Sequence, residues 1–246
     1  MAVAYKGAFM HIRIGIENNI EGRTLAWALD YPGCFAYGMD EAEALINLPR
    51  ALLEYDYWIK NHTDDPWVNF TDMGMVVVEK YDTFRLGADY LPAPAGEGYE
   101  INAWFIDDWR PLSMVEIEQG LMIFRWQREE LLAGLTTLPP QLLEKDFANQ
   151  RWTILGIAKH VANAELWYLQ RMDLVNLTRQ EFPTETTARL AHTANLIEQT
   201  FPQFADKTVV RGIEGEIWSY RKILRRTLWH QRDHIEHIKQ LAFSET

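Results

Sequence analysis

Residues 218–238 read WSYRKILRRTLWHQRDHIEHI, and this stretch decides the architecture of the second half of the chain. Tyr220, Leu224, Thr227, Gln231, Ile238 and Leu241 recur at helical spacing, and His234 falls in register with them. The spacing predicts a helix of about 216–242. His230 and His234 are four residues apart, so one helical face presents both imidazoles, one turn above the other. His237 lies on the same flank. Imidazole pairs of this kind suit transition-metal ions. They also occur as buried histidines bonded to carbonyls or to glutamates, so the spacing alone leaves both readings open.

Working outward, the stretch 152–171 reads WTILGIAKHVANAELWYLQR. Thr153 opens a helix expected to run to about Leu177. It carries His160 beside the apolar positions Ile157, Val161 and Ala164. If this helix faces the last one, three imidazoles converge. Three protein ligands with an open position are the pattern of a reactive metal rather than a closed structural one. Ser113 caps a further helix of about 113–135, which Thr137–Pro140 breaks. Another helix spans about 185–201, ended by Phe201-Pro202, and a Gly212–Gly215 loop precedes the last helix. Four helices with connections of unequal length suit an up-down four-helix bundle.

Two other features of this half are weighed the same way. Glu165 follows His160 by five residues and points about 140° away from it, so it is expected to pair with a basic residue of a neighbouring helix. Arg221, Lys222, Arg225 and Arg226 form a basic run. It reads either as a solvated or salt-bridged face, or as a clamp for an anionic thiol cofactor, with Arg221 and Arg225 as its cofactor-binding candidates.

The paired stretches 152–171 and 218–238 resemble the second and fourth helices of DinB-like proteins, the damage-inducible, thiol-transferase-like bundle superfamily. The resemblance covers residues 111–246. It implies an all-α bundle in which one histidine of the second helix and two of the fourth, here His160, His230 and His234, bind a divalent transition metal such as Zn, Ni, Mn or Fe. His237 is then an alternative ligand, a group just outside the ligand set, or a weak candidate for the catalytic base. The resemblance further implies a metal-dependent thiol transferase or hydrolase acting on a small molecule, with a low-molecular-weight thiol as co-substrate, and a homodimer. Two other readings stand beside it. In one the bundle is a non-catalytic, metal-stabilised scaffold. In the other the three histidines are ordinary polar residues of a helix interface.

The first half has a different texture. HIRIGI (11–16) alternates in the strand pattern and TLAWALD (24–30) follows it. Strands are expected at 9–17 and 23–30 around an Asn18–Gly22 turn, at Cys34–Tyr37, at 74–81 and at 101–106. Asp40 with Glu43 three residues later forms a capping box opening a helix of about 41–61. Leu91–Gly98 reads as a loop. The stretch 29–58, LDYPGCFAYGMDEAEALINLPRALLEYDYW, resembles the HicB-like antitoxin domain. That implies a small α+β domain over residues 1–110, a sheet packed on one helix, acting as an interaction module. Cys34, in the turn, reads as a small structural residue, with a redox role as the lesser reading. The domain boundary is expected near Trp109–Ser113.

Charge separates the halves as well. The net charge is −11, and residues 1–110 carry 8 Lys/Arg against 18 Asp/Glu while the remainder is nearly balanced. An acidic first half repels a phosphate backbone, so no nucleic-acid partner is expected; a basic protein partner fits. No apolar run reaches the length of a membrane span. The N-terminal stretch is too interrupted by Lys6, His11 and Arg13 for a secretory signal. With a single cysteine, a reducing cytoplasmic setting is expected.

Overall fold

The computed structural model describes residues 10–70, 73–178 and 180–243. It divides into two compact units, Met1–Asp107 with Glu214–Glu216, and Asp108–Ile213 with Ile217–Thr246. No helix among the described residues is long and apolar enough to cross a membrane.

The first unit is built on a four-stranded mixed sheet ordered β3-β2-β1-β4. Strands β1 (Met10–Ile20) and β2 (Arg23–Ala28) pair antiparallel. The turn between them is tighter than the sequence suggests. Glu21 and Gly22 alone form it, both at positive φ (48° and 76°), the two-residue hairpin loop that matches strand twist. The expected strand start at residue 9 lies outside the described residues. β3 (Phe35–Gly38) follows, then helix α1 (Glu41–His62), then β4 (Met73–Asp82), which runs parallel to β1 as a crossover through α1 permits. Asp40 accepts from Glu43 N at 2.9 Å, and the Glu43 carboxylate answers by accepting from Met39 N at 2.7 Å. Cys34 is buried.

β1 is central, and both its faces are covered. Ile12, Ile14 and Ile16 are fully buried, and so is Glu17. Glu17 shares the face opposite the isoleucines with Gly15, where an added Cβ would stand 2.8 Å from the Phe105 ring. Glu17 accepts from Trp27 Nε1 (3.0 Å), Thr83 Oγ1 (3.1 Å) and Ala103 N (2.7 Å). That arrangement explains a departure from expectation. Residues 101–106 do not form one strand. β5 (Phe84–Leu86) pairs with β6 (Tyr99–Ile101), after which Ala103 N and Ile106 N donate to the carboxylates of Glu17 and Glu79 rather than to a ladder, and Ile106–Trp109 coils into a 3₁₀ turn.

The second unit is mainly helical. Its long helices are α2 (Met114–Thr137), α4 (Ile154–Arg171), α5 (Thr186–Thr200) and α6 (Tyr220–Phe243), with a one-turn α3 (Pro140–Leu143) between the first two. Ser113 caps α2 with a reciprocal Glu116 bond, and Thr153 Oγ1 caps α4 by accepting from Gly156 N at 3.1 Å. α4 ends at Arg171, six residues before the sequence suggests, with Asp173 at φ 55° turning the chain away. Where a plain loop was expected before the last helix there is a β-hairpin, β7 (Val210–Ile213) with β8 (Glu216–Ser219), turning through Glu214–Gly215 at φ 50° and 83°. The expected first turn of α6 is therefore extended, and Ser219 Oγ starts the helix by accepting from Lys222 N.

The helical core gathers Leu131, Leu135, Ile154, Ile157, Val161, Leu190, Ile235 and Ile238. One polar network crosses it. Buried Arg128 of α2 donates to Glu165 of α4, to the Leu190 carbonyl of α5 (2.8 Å) and to Gln231 Oε1 of α6 (2.8 Å), and Thr193 Oγ1 donates to the second Glu165 oxygen at 2.6 Å. Glu165 thus takes the basic partner its position required.

Candidate metal centre

α4 and α6 pack against each other, which brings His160 from the first together with His230 and His234 from the second. His230 Nε2 stands 3.1 Å from His160 Nε2 and 3.1 Å from His234 Nε2. Ligand atoms of the three residues all lie within 4.8 Å of one another, close enough to hold a metal ion. His230 is buried, while His160 and His234 are partly exposed, so the cluster reaches solvent through those two residues.

The donor set fits a cation. An imidazole nitrogen carries one N–H or one lone pair, so hydrogen bonding can match His230 Nε2 to one neighbour and not to both. A positive ion facing three lone pairs satisfies all of them. For nitrogens 2.0–2.1 Å from an ion, tetrahedral or octahedral angles separate the donors by roughly 2.9–3.4 Å, and the 3.1 Å spacings fall in that range.

Electrostatics favour the neutral, ligating form. Burial, then the neighbouring His234 and His160 and the Arg226 guanidinium, hold His230 well below the usual histidine range. Burial, then His160 and His237, push His234 down to about 3. Neutral imidazole is the form that binds metals, so protons compete weakly here at neutral pH. The Nδ1 atoms of His230 and His234 are buried without a hydrogen-bond partner among the described residues, so no neighbouring carbonyl or carboxylate fixes either ring's tautomer.

Aromatic groups frame the cluster. The Trp152 ring stacks on His160 with centroids 4.4 Å apart and planes at 22°. Tyr168 stands edge-on to His230 at 6.1 Å. No pattern in the sequence signals the Trp152 contact, because Trp152 precedes the cap of α4 and its ring direction is set by the turn rather than by helical spacing. His237 does not join the cluster. Its Nε2 lies 2.9 Å from Gln150 Oε1, and its ring stands 6.1 Å from that of His234.

The basic run is buried and engaged. Arg225 pairs with both oxygens of Asp108 at 3.1 and 2.6 Å. Arg221 bonds Glu116 (2.7 Å) and the carbonyls of Pro111 and Arg110, and Lys222 bonds the Ile217 carbonyl at 2.9 Å. Arg226 lies 4.4 Å over the Trp229 ring. Arg221 and Arg225 are therefore committed to carboxylates of their own unit.

Compared with protein-family models, curated proteins and solved structures, the chain has no match.

Proposed function

We propose that this chain is a divalent-metal protein of DinB-like type, with His160, His230 and His234 as the ligands, acting in transfer or hydrolysis on a small thiol- or amide-bearing molecule. The observation that carries the reading is the convergence of three imidazoles from two packed helices, with His230 Nε2 3.1 Å from the Nε2 atoms of both His160 and His234. The four long helices, with one ligand on α4 and two on α6, agree with a DinB-type bundle.

A divalent ion bound there supplies Lewis acidity that lowers the pKa of a water or thiol. The chain's own residues do the rest. Buried His230 anchors the site, Trp152 stacks on His160 and so restrains the plane of its ring, and Tyr168 packs edge-on against His230. For a proton acceptor the candidate is His237, which bonds Gln150 outside the cluster.

The test is elemental analysis of untagged protein beside His230→Ala/His234→Ala. About one equivalent of a transition metal, lost in the variant, supports the reading and justifies thiol and amide substrate panels. Absence of bound metal after incubation with Zn, Ni or Mn sinks it.

A second reading has its own observation, the excess of 18 Asp/Glu over 8 Lys/Arg in residues 1–110. In it the sheet-and-helix unit, HicB-like in its sequence, recognises a basic protein and the helical unit is a metal-stabilised scaffold. Turnover by the metal-loaded protein on any panel substrate decides against it.

A further inference from the structure

Helix α1 is apolar on two sides. Ala44, Leu48, Leu52, Tyr55 and Ile59 are buried. On the opposite side Ile46, Leu53 and Tyr57 are 75%, 55% and 70% exposed. At 100° per residue these three fall within about 40° of one another, so they form a stripe rather than scattered surface residues. Single exposed apolar side chains need no explanation, but an aligned row of large ones marks an interaction surface. Flanking it, Arg50 pairs with Glu54 at 2.7 Å, with side chains 85% and 54% exposed.

We infer that this face pairs α1 with the α1 of a second copy, antiparallel about a two-fold axis near Ala51–Leu52. The pattern is its own complement. Rotation about that axis sets Ile46 of one copy over Tyr57 of the other and places the two Leu53 side chains beside the axis. Residues on the same flank of antiparallel helices meet, so each Arg50 faces the Glu54 of the other copy. An isologous contact needs this self-complementarity, with every interaction made twice. A basic partner protein would meet the acidic surface of this unit, but it would not require oppositely charged residues one turn apart beside an apolar row. The helix, at 22 residues, offers about 33 Å of contact length.

The experiment is sedimentation velocity on the full chain over a wide concentration range. Wild type is expected to dimerise, and Leu53→Glu to halve the assembly's mass while circular dichroism stays that of the wild type, because the side chain is exposed. Arg50→Glu and Glu54→Arg are each expected to weaken association about tenfold, since each change acts twice. An equimolar mixture of those two variants restores it, because the acidic pair on one chain then faces the basic pair on the other. A wild type monomeric throughout overturns the proposal. So does an assembly untouched by Leu53→Glu, which would place association on another surface, such as the apolar run Met75–Val78 of edge strand β4.

Discussion

Trp152 lies flat against His160, the indole and imidazole rings 4.4 Å apart and nearly parallel. The one imidazole of the cluster that comes from α4 is thereby in contact with a residue outside that helix. Groups that orient metal ligands typically contribute ten- to hundredfold in affinity. Trp152→Ala is expected to weaken metal binding about tenfold and Trp152→Phe to retain most of it, as read by competition titration against a chromophoric chelator. Equal affinity in all three proteins would show that the stack does not orient His160.

His237 stands one turn beyond His234 yet bonds Gln150. His237→Gln should therefore leave metal stoichiometry unchanged, whereas His234→Gln should abolish it. Elemental analysis of the two variants side by side checks this, and loss of metal in the first would make His237 a ligand.

Acidification should destabilise the metal-free protein. His230 and His234 are held neutral in the fold, the latter down to about 3, against an ordinary value of 6.5. Below 6.5 the unfolded chain takes up protons that the folded chain refuses. Stability is therefore fully present above that pH and is lost as pH falls from 6.5 toward 3, by about 1–3 kcal/mol per unit for the two rings together. Urea unfolding of chelator-treated protein at pH 7.5, 6 and 5 tests it, with His230→Phe/His234→Phe expected to flatten the slope.

Glu165 and Arg128 are a buried pair, and removing one partner leaves an uncompensated charge. Glu165→Leu is expected to cost about 3–5 kcal/mol, and Arg128→Met with Glu165→Leu to recover much of that loss. Equilibrium denaturation measures both. Additive losses in the double variant would mean that the two residues are not coupled.

In the first unit, Glu17→Ala strands the donors of Trp27, Thr83 and Ala103, each worth about 1–3 kcal/mol when buried without an acceptor. A loss of about 3–5 kcal/mol, measured by urea denaturation, is expected; a change under about 1 kcal/mol would count against a structural role for Glu17.

The sequence made the histidine cluster legible because helical spacing ties His230 to His234 and because Thr153 fixes the register that carries His160. The basic run reads as a solvated or salt-bridged face, or as an anion clamp; Arg221 and Arg225 are salt-bridged, but to partners the sequence does not point to. Its partners Asp108 and Glu116 lie more than a hundred residues earlier in the chain, and no periodicity reports a pairing across that distance. The strand expected at 101–106 failed for a related reason. Ile101, Ala103 and Phe105 are buried in alternation as a strand's would be, but two carboxylates from β1 and β4 take the backbone donors of Ala103 and Ile106. The hairpin before α6 was missed because Glu214–Gly215 resembles any loop until both residues are seen at positive φ. Alternation in HIRIGI pointed to one buried face, whereas the central place of β1 buries Glu17 as well.

The Arg128 network has a consequence for how this site can change over generations. One guanidinium, rooted in α2, fastens Glu165 of α4, the Leu190 carbonyl of α5 and Gln231 of α6, next in sequence to His230. The helices that carry the histidine cluster are thus clasped by a residue outside the cluster. A change at the cluster, such as a carboxylate in place of His234, can therefore alter what the cluster binds while the clasp between the helices stays as it is.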